Sequence, residues 1–357
     1  MLKNRLTRLR RLLEDRQVEA LLVSHPVNRR YLTGFTGSSG WAVVTPEEQF
    51  LISDFRYTEQ AKEQAPDFQF VEHQGNPFKD IQEILKKSGM GSIAFEEDHL
   101  TYAQHRKLAE TLGEIRTQPV SNMVEKLRER KEESELNVIR DAVAIADRAF
   151  GAILEEIRPG RSEREIALRL EFLMREQGAD SSSFDIIVAS GPRSALPHGV
   201  ASDRLLEKGD LVTLDFGALY QGYCSDITRT VMLGPPSEEQ RKIYDIVLEA
   251  QQRALLAIRG GITGKEADQV ARDYITDHGY GEAFGHSTGH GLGMEVHERP
   301  SLSVRGDSPL EPGMVVTVEP GIYLPGVGGV RIEDDVAVTE QGREVLSKSP
   351  KDMIILD

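Results

Sequence analysis

Two stretches of this chain repeat each other, and that repeat limits what it can fold into. Leu206-Glu207-Lys208-Gly209-Asp210-Leu211-Val212-Thr213-Leu214-Asp215-Phe216-Gly217 aligns with Leu310-Glu311-Pro312-Gly313-Met314-Val315-Val316-Thr317-Val318-Glu319-Pro320-Gly321 at a constant offset of 104, with six of twelve positions identical. A second echo lies upstream. Ser162 and Glu165 have capping-box spacing after Pro159-Gly160, and Thr263 and Glu266 have it after Gly260-Gly261, at an offset of 101. Each leads into a helical pattern that stops at a glycine, Gly178 or Gly279. Two echoes in the same order make chance a poor explanation and predict two related α/β halves, each a helix followed by strands.

Asp215 and Glu319 occupy equivalent places in the repeat, each at the end of an apolar run (Leu211 to Leu214, Val315 to Val318). A buried carboxylate without a partner is costly, so each needs a cation or a proton. One such acid alone reads as a strand end turned to solvent; recurrence in both halves reverses that. Asp226 lies 11 residues after Asp215, and Glu333 lies 14 after Glu319. A two-residue turn at Tyr220-Gln221 would set Asp215 directly opposite Asp226, and a loop centred on Gly326 would set Glu319 opposite Glu333. Like charges directly opposite destabilise a plain sheet, so a four-carboxylate cluster of this kind implies divalent cations at its centre. Between the two hairpins lie His286, His290 and His297, with His198 upstream in a glycine-containing loop. The glycines around His290 argue against a helical HxxxH face and let the backbone approach a site.

The first third alternates short strand-like runs (Ala20 to Val23, Trp41 to Thr45, Gln49 to Ser53, Ile93 to Phe95) with helical segments, a small α/β pattern. Near residue 123 the chain becomes dense in charge (Glu125, Lys126, Arg128, Glu129, Arg130, Lys131, Glu132, Glu133). We read that run as a solvated helix face continuing without a break into an amphipathic helix lined by Leu136, Ile139, Val143, Ala146, Phe150 and Ile153. The domains expected are residues 1–122 and 123–357.

Composition excludes several classes. With 58 acids against 43 bases the net charge is −15, which argues against a nucleic-acid binder. The single cysteine, Cys224, excludes a disulfide framework and a multi-cysteine zinc site, and reads as a packed thiol. No run approaches the roughly 18 apolar residues of a membrane span. The basic N-terminus carries Leu2, Leu6, Leu9 and Leu13 at helical spacing, so it reads as a surface helix and not a signal peptide, and a cytoplasmic protein is expected.

The residues 123–357 resemble the pita-bread metallopeptidase fold shared by methionine aminopeptidase, aminopeptidase P and prolidase. The order and type of Asp215, Asp226, His290, Glu319 and Glu333 resemble that family's five-ligand dinuclear site. Asn28, Arg30, Tyr31, Leu32, Thr33, Gly34 and Phe35, then Asp54, Arg56 and Tyr57, resemble the creatinase/prolidase N-terminal domain, which favours the proline-specific branch. The resemblance implies an α/β fold, a pita-bread catalytic domain with an internal pseudo-two-fold repeat after a smaller α/β domain. It implies that Asp215 and Asp226 bind one metal, that Asp226 reaches a second held by His290 and Glu319, and that Glu333 bridges. His198 and His297 match substrate-handling histidines that stabilise the tetrahedral intermediate, Arg331 matches an arginine backing the ligands, and Tyr323 lines the site. It also implies a homodimer.

Four carboxylates and one imidazole form a hard, oxygen-rich set that suits Mn²⁺ better than tetrahedral zinc, with Co²⁺, Fe²⁺ or Zn²⁺ as alternatives. The expected activity is hydrolysis of the bond between an N-terminal residue and proline, with Glu319 as proton acceptor and His198 and His297 as donors to the developing oxyanion. In prolidases an arginine often follows the His-Glu-x-Pro segment and grips the dipeptide carboxylate. Here Ser301 follows His297-Glu298-Arg299-Pro300, which leans towards an aminopeptidase P-like preference for longer peptides. A catalytically inactive peptide- or protein-binding module and a metal-free creatinase-like hydrolase are the alternatives, and the complete ligand set argues against both. Trp41 reads as domain core and His286 as structural. Asp334 reads as solvated or salt-bridged on the face opposite Glu333.

Overall fold

Both capping boxes form in this computed structural model, which describes residues 2–357. Ser162 caps the helix Glu163–Glu176 and Thr263 caps Gly264–Asp277, each receiving its Glu side chain on the backbone amide at 2.8 Å. The glycines beyond both helices take left-handed backbone, Gly178 at φ 103° and Gly279 at φ 87°, a conformation that costs glycine no Cβ clash. An isolated bridge joins Ser162 to Leu205 and another joins Thr263 to Pro309, so the two helix starts are docked alike.

The chain divides into two compact units, one ending at Arg128 and the other Glu129–Asp357. The first holds a six-stranded sheet. Leu21–Val23 pairs antiparallel with Trp41–Val44 and parallel with Ser92–Glu96; Gln49–Ser53 and Gln69–Glu72 extend one side, Arg116–Val120 the other. Helix Leu2–Asp15 buries Leu6, Leu9 and Leu13, while the side chain of Leu2 lies outside the described residues. Trp41 meets Phe78 edge-on at 5.4 Å and packs against this unit's core.

The second unit repeats one plan. Helices Glu133–Ile153 and Glu163–Glu176 precede the strands Ile187–Ser190, Leu211–Phe216 and Ile227–Leu233; helices Glu238–Ala257 and Gly264–Asp277 precede Gly289–Gly291, Glu298–Leu302, Val315–Val318 and Asp334–Thr339. Each half has its own apolar core, one around Phe150, Leu170 and Phe216, the other around Val247, Ile275 and Val336. The halves join through hydroxyls of the Ile227–Leu233 strand. Thr228 donates to Glu333 Oε2 at 2.7 Å, and Thr230 to the Arg331 carbonyl at 3.0 Å. This seam places the carboxylates of both repeats side by side.

The charge run departs from expectation. Glu125–Arg128 is a short helix, the helical conformation is interrupted, and the long helix starts only at Glu133. Arg128, Glu129, Lys131 and Glu135 are buried instead of forming a solvated face. Burial is tolerated because the charges are paired: Lys131 meets Glu298 at 3.1 Å, and Glu135 accepts from Tyr223 at 2.8 Å. The amphipathic face from Leu136 to Ile153 is buried as expected. Among the described residues no helix is long and apolar enough to cross a membrane.

Candidate metal centre

The first hairpin turns one residue later than expected. Gln221 and Gly222 have φ of 49° and 84°, so they form the two-residue loop, and Tyr220 pairs with Tyr223. Two positive φ values suit the twist of a tight hairpin, and glycine supplies the second without strain. Asp215 therefore faces Thr228, not Asp226. Asp226, two residues before Thr228, becomes a diagonal neighbour of Asp215, still within side-chain reach. The second hairpin keeps the expected register. Val318 pairs with Asp334 and Gly321 with Arg331, which sets Glu319 across from Glu333.

The strand Gly289–Gly291 brings in His290. The amide of His290 donates to Thr317 Oγ1 at 3.1 Å, and its Nδ1 donates to the Gly291 carbonyl at 3.0 Å. That bond fixes the tautomer and leaves Nε2 as a lone pair turned inward. Nε2 lies 3.3 Å from Glu319 Oε1 and 3.7 Å from Asp226 Oδ2. Ligand atoms of Asp226, His290 and Glu333 all lie within 4.8 Å of one another.

The electrostatics of this cluster fit a cation. Burial first, then the charges of Glu333 and Asp215, push the Asp226 carboxyl well up. Glu333 is raised by burial and by Glu319 and Asp215, and Glu319 by burial against the lowering effect of Arg331. Burial lowers His290 and keeps it neutral. Asp226 Oδ1 is buried without a hydrogen-bond partner. An orphaned carboxylate oxygen beside a free imidazole lone pair is what divalent-ion ligands look like before the ion is counted.

Asp215, Asp226, His198, His290, His297, Glu319, Arg331 and Glu333 all line one cleft of about 460 Å³. His198 and His297 are exposed at its rim, and the His297 ring lies 4.3 Å from that of His290. Arg331 Nη2 donates to Asp215 Oδ2, Nε to Thr228 Oγ1 at 3.0 Å, and Nη1 to Tyr323 at 2.8 Å and the Pro197 carbonyl at 3.2 Å. Tyr323 is not a wall of the cleft but stands behind Arg331, its hydroxyl pushed up to about 12 by burial.

Several residues of the site went unread in the sequence. His286, taken as structural, lines the cleft, and its Nε2 is 2.8 Å from the Tyr323 hydroxyl. Burial, then the nearby Arg331 charge, lowers His286 to about 4, so it accepts there as the neutral ring. His286, like His290, has a flanking glycine, Gly285, which was the available signal. Asp335 lies two residues from Glu333, and its Oδ2 accepts the Asp226 amide at 2.9 Å. Strand alternation puts Asp335 on the face of Glu333, so the pattern contained it. Asp334 does turn the other way and is salt-bridged, as one of the two expected alternatives, to Arg229 at 2.8 Å and Lys351 at 2.6 Å, in a fully buried setting. Cys224 is buried and forms no disulfide, and its thiol donates to the Met294 carbonyl at 3.8 Å.

The arrangement defines a carboxylate-rich metal centre at the seam of two pseudo-symmetric halves. The model of metallopeptidase family M24 matches residues 137–340, and that of the creatinase/prolidase N-terminal domain matches residues 5–130. The chain belongs to metallopeptidase family M24, and its second unit has the pita-bread fold. It is 52% identical to the solved Xaa-Pro dipeptidase from Bacillus anthracis, with 100% of both chains covered and a TM-score of 0.98. It is 43% identical to the X-Pro aminopeptidase structure from Thermotoga maritima (97% of this chain, 100% of that one, TM-score 0.91). It is also 43% identical to an Xaa-Pro dipeptidase of Pyrococcus furiosus over 357 residues, 99% of this chain and 100% of the relative.

Proposed function

We propose that this chain is a metal-dependent exopeptidase that hydrolyses the bond between an N-terminal residue and proline. The names of the Bacillus anthracis, Pyrococcus furiosus and Thermotoga maritima relatives support the bond, and the orphaned Asp226 oxygen beside His290 and Glu333 supports the metal. Asp215, Asp226, His290, Glu319 and Glu333 would hold two divalent ions, with Mn²⁺ matching the hard donor set. When bound, such ions polarise the scissile carbonyl and bring the pKa of water towards neutrality.

The chain's own residues do the rest. Glu319, held at Oε1 by Thr317 at 3.2 Å, accepts the proton of the attacking water as a carboxylate and returns it to the proline nitrogen as the scissile C–N bond breaks. His198 and His297 sit at the cleft rim and donate to the developing oxyanion; burial lowers His297, so it does so as a neutral imidazole. Arg331 transfers no proton in this scheme. Its guanidinium holds Asp215 in place and offsets the charge of the cluster. Phe184, Ile187 and Val296 supply an apolar wall for the residue before the scissile bond or the proline ring.

The test is metal analysis of the purified chain combined with assays on Xaa-Pro and Xaa-Pro-Xaa peptides after Mn²⁺ loading. Stoichiometric metal and proline-dependent cleavage are expected. Metal content near zero with no hydrolysis would overturn the proposal.

A further inference from the structure

His198 rides on a loop whose two ends are held by one buried carboxylate that the proposed chemistry does not use. The loop leaves the strand Ile187–Ser190, passes through the 3-10 turn Gly191–Ala195 and returns at Ser202. Glu163, 0% exposed, stands at the first position of the helix Glu163–Glu176. Its Oε1 accepts from the Ser190 amide at 2.8 Å and the Ser190 hydroxyl at 2.7 Å. Its Oε2 accepts from the Ser202 amide at 3.0 Å and the Ser202 hydroxyl at 2.6 Å.

A fifth donor extends the tether towards the imidazole. Arg193 Nε meets Glu163 Oε2 at 3.0 Å, and Arg193 Nη2 donates to the Val200 carbonyl at 2.7 Å, two residues beyond His198. Every partner of Glu163 is a donor, so only a charged carboxylate satisfies them all. His198 itself is exposed, and the backbone of this loop sets where its ring stands.

Resting on the role proposed above for His198, we infer that Glu163, acting through Arg193, is the positioning residue that holds His198 over the carboxylate cluster. A catalytic donor displaced by about 1 Å can lose on the order of 100-fold in rate, so a tether at the base of the loop is coupled directly to turnover.

The test uses the metal-loaded full chain. Glu163→Gln keeps the shape but turns an amide NH₂ onto donors; Arg193→Gln, at a less buried position, removes the ion pair with Glu163 and the link to Val200 but leaves the serine contacts of Glu163 in place. Each is expected to lower kcat on an Xaa-Pro-Xaa peptide by about 10- to 100-fold with KM little changed. In a His198→Ala background the same substitutions should cost less than about twofold, because the group they position is gone. Losses that simply add, or a His198→Ala chain as active as the unaltered one, would overturn the inference. Limited trypsin digestion reads the tether without activity: cleavage after Arg193 should be faster in Glu163→Gln, with other sites unchanged. Unchanged cleavage there overturns the inference whether or not the chain hydrolyses peptides. Failure of the unaltered, metal-loaded chain to cleave Xaa-Pro bonds would instead sink the proposed function.

Discussion

Arg229 and Asp334 form an ion pair at 2.8 Å with both side chains almost wholly removed from water. The pair is more than a contact between strands. Arg229 Nη1 also donates to the carbonyls of Thr228 and Glu333, and Nη2 to that of Ser349; Asp334 further receives Gln251 and Lys351. It thus fixes the backbone on either side of the cluster from behind. Removing one partner of a buried, hydrogen-bonded pair leaves an uncompensated charge and costs about 3–5 kcal/mol. Asp334→Ala should therefore lower the melting temperature of the metal-free protein by roughly 10 °C. A thermal melt that moves by less than a couple of degrees would show that the pair contributes little.

Stability should respond to metal more strongly as pH rises. Asp226, Glu319 and Glu333 all have carboxyls raised by burial in the metal-free fold. Above the usual carboxylate range the unfolded chain is ionised while the folded cluster still holds protons. The folded state then binds more protons than the unfolded one, and these groups subtract stability as pH increases. A bound cation needs the carboxylates ionised and His290 neutral, so proton competition weakens towards alkaline pH. The rise in melting temperature on adding Mn²⁺ to chelator-treated protein should grow from pH 5 to pH 8. A metal-induced shift that is flat or shrinks over that range would contradict the cluster's electrostatics.

What could be read from the sequence was whatever repeats or alternates. The offset between Asp215 and Glu319 exposed the two-half plan, and the glycines around Gly326 exposed the register of Glu319 with Glu333. The first hairpin turns one residue later than the Tyr220-Gln221 reading because a loop with two positive φ values favours a glycine at its second position, and Gly222 supplies it. The Lys131–Glu298 pair could not be seen, because a charge run shows its composition but not a partner more than a hundred residues away. Glu163 was hidden for the same reason: an acid in the first turn of a helix usually serves the helix dipole, and only the fold brings Ser190 and Ser202 to it.

Asp226 should be the least replaceable acid of the cluster. It contacts His290, its amide is held by Asp335, and one of its oxygens has no hydrogen-bond partner. Asp226→Asn should lower bound metal and reduce activity by more than about 100-fold, the upper end for losing an outer partner of a ligand. Because the change also removes one of several buried like charges, the metal-free variant should melt no lower than the metal-free parent. Full activity, or metal content equal to that of the parent, would refute the assignment.

Substrate length should be adjustable at Ser301. Ser301 pairs with His290 across the strands, so the two side chains share a face of the sheet. Its hydroxyl donates to Ser303 at 2.9 Å and offers no positive charge to a carboxylate. A dipeptide Xaa-Pro presents its carboxylate close to the scissile bond, whereas a longer peptide carries it further out. An arginine at this exposed position would add a charge-assisted, bidentate contact that only the dipeptide can make. Ser301→Arg should raise kcat/KM for Xaa-Pro relative to Xaa-Pro-Xaa by about tenfold, through KM, which corresponds to about 1.4 kcal/mol. Parallel assays of the two substrates in parent and variant measure the ratio directly, and a ratio that does not move would place the carboxylate elsewhere in the cleft.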